Sequence, residues 1–188
     1  MTIYVTNAPK YAIDRCLTEE VQACYGFVAM PVFVIELLNA FLYQPLLVPM
    51  ALEWKERRLD RLRVRVKKQC LILPGVSGVC LLGAYFLGIP VLSALYNTDL
   101  RSYKPEMMVL LLGGAMFAYA GYFSVLLTIM RKQRIIMGGY AVISVLSFVM
   151  SDGLVRRAGV MGAAVLYMLL MTVLAGSLGT AVRCGLQT

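Results

Sequence analysis

Glu36 is the residue in this chain with most reason to do chemistry. It lies inside residues 21–52, which are apolar apart from Gln22, Glu36, Asn39 and Gln44. A carboxylate at the centre of a membrane helix costs roughly 2.5–3.5 kcal/mol on insertion scales, so it needs a compensating contact or a task. Asn39 and Tyr43 follow at steps of three and four residues, which puts all three on one helical face as a polar stripe. Such a stripe either faces a cavity, where it could contact a polar ligand or an ion, or clamps one helix to another. A second cluster is Lys10, Asp14 and Arg15. Lys10 and Asp14 are one turn apart and able to neutralise each other at the interface. Lys10 and Arg15 are also of the type that binds an anionic group such as a diphosphate through charge-assisted hydrogen bonds. Tyr119, Tyr122, Ser124, Thr128, Tyr140, Ser144 and Ser147 could line a polar path, or bond helix to helix.

Other chemistries are poorly served. The chain has no His, so imidazole metal sites, Ser/His/Asp triads and a His-based pH switch are excluded. Its five Cys are scattered without CxxC spacing and read as small buried hydrophobes. We therefore expect no enzyme activity, no cofactor and no metal site.

The elements that must position these residues are membrane helices. With 188 residues, 60% of them hydrophobic and 15% charged, and a mean hydropathy of +0.76, the chain is too apolar for an ordinary soluble domain. The net charge of +8 sits at the edges of apolar runs, where orientation signals and lipid headgroup contacts belong, and not as a nucleic-acid footprint. We expect an all-α polytopic bundle forming a single domain over residues 1–188, with about five full spans and a partial first helix. The spans are expected at 21–52, with Pro31, Pro45 and Pro49 as kink points, and at 69–96, 106–130, 135–150 and 160–182. The opening residues are about half a span long, with a short helix over 11–17 and a cap at Thr18. Residues 54–68, WKERRLDRLRVRVKK, read as a basic loop, 97–105 as a polar turn and 151–159, SDGLVRRAG, as another.

The charge distribution orients this layout. Residues 54–68 carry eight Lys or Arg; Arg131, Lys132, Arg134 and Arg183 bring that face to twelve, while the other face receives Arg101, Lys104, Arg156 and Arg157. The positive-inside rule then places the basic loop and the C-terminus in the cytoplasm of a cell with a multi-pass protein in its cytoplasmic membrane. The basic loop is expected to orient the chain and to bind anionic lipid headgroups, its Leu59, Leu62 and Val66 spacing suiting an amphipathic helix lying on the membrane surface. A half-span opening with Lys10, Asp14 and Arg15 at membrane depth suggests the continuation of something upstream.

Four stretches, in order, carry a family resemblance. They are NAPKYAID with LTEEVQACYG, then FLYQPLLVPMA running into the basic loop, then LGIPVLSALYNTDLRSYKPEMMVLLLGG, and GLVRRAGVMGAAVLYMLLM. Together the chain resembles the C-terminal half of bacterial polysaccharide biosynthesis membrane proteins, the Wzx-type oligosaccharide flippases of the MATE-like multidrug/oligosaccharidyl-lipid/polysaccharide exporter superfamily. The resemblance implies the second of two six-helix bundles around a central cavity, and flipping of a polyprenyl-pyrophosphate-linked oligosaccharide by alternating access for capsule, exopolysaccharide or O-antigen synthesis. It implies as partner the first six helices or another membrane subunit. The absence of those helices here puts independent activity in doubt. The alternatives are a non-transporting assembly or structural fragment, and a drug or lipid exporter of the same superfamily, for which an aromatic and acidic cavity would speak.

Overall fold

The computed structural model describes residues 19–96 and 101–187, and every described residue is helical except 56–58 and 130–132. Lys10, Asp14, Arg15, the expected helix over 11–17 and the Thr18 cap lie outside the described residues. Among the described residues five helical stretches are long and apolar enough to cross a membrane: Gln22–Lys55, Leu59–Tyr96, Lys104–Ile129, Gln133–Val155 and Ala158–Leu186. We refer to them as the first to fifth spans.

Prolines set the internal character of the first two. The first span is α1 (Glu19–Tyr43), a 3-10 turn at Gln44–Leu46 and α2 (Leu47–Lys55). Pro45 has no N–H to offer the Phe41 carbonyl, and the helix tightens there before resuming. Of the three expected kink points, Pro45 coincides with this change; the α-helix runs through Pro31, and Pro49 lies in the first turn of α2. The second span is α3 (Leu59–Gly83), a π segment at Ala84–Gly88 and α4 (Ile89–Tyr96). The π segment absorbs Pro90, whose ring an α-helix would drive against the Phe86 carbonyl.

The third span is α5 (Lys104–Ile129) and the last two form α6 (Gln133–Gln187), broken at Gly159. Gly159 has φ 56° and ψ −132°, a conformation open essentially to glycine alone. The chain reverses there: Gly139, twenty residues before the break, packs on Leu174 and Leu178 beyond it. The expected turn over 151–159 is therefore corrected. Ser151 to Ala158 stay helical, because an isolated Ser, Asp or Gly lowers helix propensity by about 1 kcal/mol or less, and only Gly159 takes the reversing conformation.

A second correction concerns residues 54–68. Only residues 56–58 form a turn; from Leu59 the basic segment is the opening of α3, continuous with the second span. Leu62, Val66, Gln69 and Leu73 are buried at helical spacing, while Arg63, Lys67 and Lys68 are exposed and Arg65 is half-buried. The amphipathic spacing is realised, but in a helix that runs on into the bundle.

The third span is the hub. Its Gly114 lies against Val32 of the first span, where an added Cβ would come within 2.8 Å of the valine side chain, and its Gly113 lies as closely on Tyr167 of the fifth, at 2.6 Å. Tight helix approach of this kind needs residues without side chains at the crossing. Gly179 of the fifth span likewise packs on Phe123. Contacts further along each helix, Tyr43 with Tyr122 and Phe123 with Gly179, show the first, third and fifth spans running parallel. The second and fourth return between them and are much less covered by protein.

This arrangement brings the turn at 56–58, the turn at 130–132 and the end of the fifth span to one end of the bundle, with positions 101, 104, 156 and 157 at the other. Both turns are built alike. Arg58 N–H donates to the Glu53 carbonyl at 2.9 Å and Arg57 N–H to that of Trp54 at 3.2 Å; Lys132 N–H donates to Leu127 at 2.8 Å and Arg131 N–H to Thr128 at 3.0 Å. These are paired six-to-one and five-to-two bonds of a Schellman helix end, whose left-handed position is ordinarily glycine. Here it is Arg57 and Arg131, each with φ 56°, at a cost of roughly 1–2 kcal/mol apiece.

Candidate functional site

The polar stripe of the first span divides on inspection. Asn39 is fully buried; its Nδ2 donates to the Ile35 carbonyl at 2.8 Å and to Ser77 Oγ of the second span at 3.3 Å. It ties two antiparallel helices together. Tyr43 is half-buried, its ring 5.8 Å from that of Tyr122 on the third span. Glu36 is half-buried and lies within electrostatic reach of Tyr43 and Tyr167. The stripe is thus gathered on the inner side of the first span, but Asn39 is engaged as a clamp. Lys10 and Arg15, the other expected ligand contacts, lie outside the described residues.

Three of the seven hydroxyls expected along a polar path turn back on their own helices. Ser124 donates to the Ala120 carbonyl, Thr128 to Ser124 and Ser144 to Tyr140, each at 2.8 Å. Tyr119 is different: its hydroxyl donates to the Cys70 carbonyl at 2.8 Å, across from the third span to the second. Cys70 is four residues before Pro74, which has no N–H to claim that carbonyl. In a bilayer such freed groups must find another donor. The hydroxyls of Tyr122, Ser147 and Tyr167 are buried without a protein partner.

Comparison with known families, with characterised proteins and with solved structures gave no match. The functional reading therefore rests on the chain's own geometry. Among the described residues no group of three or more His, Cys, Asp or Glu is placed to hold a metal ion.

The geometry is richest at the basic end. A groove of about 500 Å³ runs between the second, third and fifth spans. Its mouth carries Arg63, Lys67 and Arg183, and its inner wall Cys70, Tyr119 and Phe123 opposite Gly176 and Gly179. Arg63 also donates through Nε, at 3.2 Å, and through Nη2 to the Leu186 carbonyl, a cation on the last turn of the fifth helix, where the end carbonyls lack intrahelical donors. A second cavity, of about 620 Å³, lies between the two arginine turns and is lined by Trp54, Lys55, Arg57, Arg131 and Lys132 with Leu59 and Ile129. Neither cavity is lined by Glu36, Asn39 or Tyr43.

The ion pair beside the first turn fixes this end. Arg65 grips Glu53 with Nη2 to Oε1 at 2.7 Å and Nε to Oε2 at 3.3 Å, a fork-on-carboxylate contact joining the end of the first span to the start of the second. From the sequence Arg63 and Lys67 are expected to orient the chain and contact lipid headgroups, and Arg183 to orient it; their convergence on one groove is not expected. The i, i+4 spacings of Arg63 with Lys67 and of Tyr119 with Phe123 were the available signal, each pair sharing a helical face.

Proposed function

We propose that this chain is one helical bundle of a membrane carrier that moves a polyprenyl-diphosphate-linked oligosaccharide from the inner to the outer leaflet of the cytoplasmic membrane, working with a second bundle or subunit. The observation that carries the reading is the groove between the second, third and fifth spans: cations at its mouth, an aromatic and glycine-lined wall further in. That gradient suits an anionic headgroup with an apolar chain behind it, since guanidinium and ammonium groups hold phosphate while the wall takes methylenes. A drug exporter would call for an aromatic and acidic cavity; the groove has the aromatic wall but cations and no acid among its lining residues, which favours the anionic cargo. Under the positive-inside rule the basic end and the C-terminus face the cytoplasm, the side on which such a cargo is assembled. Glu36, left unengaged by the Asn39 clamp, is assigned to the coupling ion or the sugar, and Lys10 and Arg15 to the anionic group.

The test is photo-cross-linking of the purified full chain in lipid nanodiscs with a diazirine-bearing polyprenyl diphosphate sugar. Labelling is expected on the groove helices, competed by unlabelled cargo, and reduced at least tenfold in a Lys67→Gln/Arg183→Gln variant. Equal labelling by an uncharged prenyl glycoside would sink the proposal.

A second reading, a non-transporting assembly module, draws on the Asn39–Ser77 and Tyr43–Tyr122 contacts, which spend most of the polar stripe on holding helices together. It expects no saturable labelling by either probe.

A further inference from the structure

We infer that the cavity between the two arginine turns is a second binding site, specific for a phosphate or diphosphate group carried on an apolar chain, and separate from the groove whose cargo is proposed above. Four cations, Lys55, Arg57, Arg131 and Lys132, line it, and no carboxylate among the described residues does. The acids closest in sequence are held by other arginines: Glu56 by Arg58 at 2.9 Å, Glu53 by Arg65 at 2.7 Å and Asp60 by Arg63 at 3.7 Å. The cationic charge at the cavity is therefore not neutralised by any carboxylate among the described residues.

The backbone supports the same conclusion. Both turns end their helices in the same hydrogen-bonded form, and both place arginine in the left-handed position where glycine is the low-cost choice. Two such residues, from turns about seventy residues apart in sequence, converge on one cavity. Strained conformations of this kind persist where the side chain has a use. Arg offers a planar fork of donors that matches phosphate oxygens in pairs, and Lys55 and Lys132 add point charges. Trp54, Leu59 and Ile129 supply an apolar wall on the same cavity, which bare inorganic anions would leave unused. A lipid phosphate headgroup at the membrane surface uses both.

Trp54 is the chain's single tryptophan, so its emission reports on this cavity without labelling. The full chain in phosphatidylcholine nanodiscs is titrated in two arms, one by raising the share of phosphatidic acid, the other by adding sodium pyrophosphate. A saturable, salt-sensitive change in Trp54 emission is expected with phosphatidic acid; saturation with pyrophosphate alone would keep the site and assign it to a soluble ligand. The decisive variant is Arg57→Gly/Arg131→Gly, because glycine at both positions relieves the backbone while removing both forks. It is expected to melt at the same or a higher temperature yet to bind at least tenfold more weakly. Arg61→Gln/Arg134→Gln, which removes two charges from the same end without touching the cavity, should keep the wild-type affinity. The site is refuted if neither probe changes the emission, if the double-glycine variant binds as the wild type does, or if the charge-matched control loses affinity equally.

Discussion

The Tyr119 hydroxyl donates to the carbonyl of Cys70 at 2.8 Å, the acceptor that Pro74 leaves without its usual helical donor. A proline that would be an isolated fault in one helix is thereby turned into a tie between two. Tyr119→Phe should lower stability by about 1–3 kcal/mol, the cost of an unsatisfied buried carbonyl, read as the unfolding midpoint in detergent. In a Pro74→Ala background the alanine N–H reclaims the carbonyl, and the same change should cost at least about 1 kcal/mol less. Equal costs in both backgrounds would show that the proline and the tyrosine are not coupled.

Gly159 carries the reversal between the fourth and fifth spans. Gly159→Ala should destabilise by about 1–3 kcal/mol, because the Cβ is strained at φ 56° even though nothing lies within 4 Å of it. Gly153 lies inside the helical part of the same stretch, with nothing within 4 Å of an added Cβ. Gly153→Ala should therefore be neutral or stabilising by up to about 1 kcal/mol. The two melts together locate the turn, and a larger loss at Gly153 than at Gly159 would put it back over residues 151–159.

The polar stripe is separable by the same means. Asn39→Ala should cost about 1–2 kcal/mol through its bond to Ser77, and Ser77→Ala should add little once Asn39 is gone. If the chain works as the proposed carrier, Glu36→Gln, measured together with its partner bundle, should leave the unfolding midpoint unchanged and lower transport. Unchanged transport with a lowered midpoint would make Glu36 a clamp as well.

Much of this architecture was legible because burial in a bilayer leaves a coarse signal. Apolar runs broken by charge gave five spans, and the described helices match them in number and order. The ends were less legible. Charge in residues 54–68 hid not the helix but its continuity with the second span, which the spacing of Leu62, Val66 and Leu73 carries through, since helix formation follows the buried face and tolerates cations on the other. The Tyr119–Cys70 tie could not be read, because a freed carbonyl announces its proline but not its donor. Nor could the left-handed turns, because nothing local distinguishes Arg57 and Arg131 from the other arginines of the basic end. Glu36, Asn39 and Tyr43 were legible as one face, but whether that face meets a cargo or a neighbour depends on Ser77 and Tyr122, residues of other helices. The groove was visible only as two i, i+4 pairs whose helices had first to be brought together.

Sidedness follows from the way the two charge groups are separated along the bundle. Arg61 is exposed at the basic end and Ser102 is exposed at the start of the third span, at the opposite end. A membrane-impermeant maleimide should therefore reach one and not the other. In a Cys16→Ser/Cys184→Ser background, which removes the exposed thiol among the described residues and the one cysteine outside them, Ser102→Cys should be labelled in intact cells and Arg61→Cys only after permeabilisation. The basis is that Lys and Arg near span ends are retained on the cytoplasmic side, with twelve at the Arg61 end against four at the Ser102 end. Labelling of Arg61→Cys from outside would reverse the bundle. It would then place the cations of the groove on the face where a cargo is released, which is incompatible with their receiving its diphosphate.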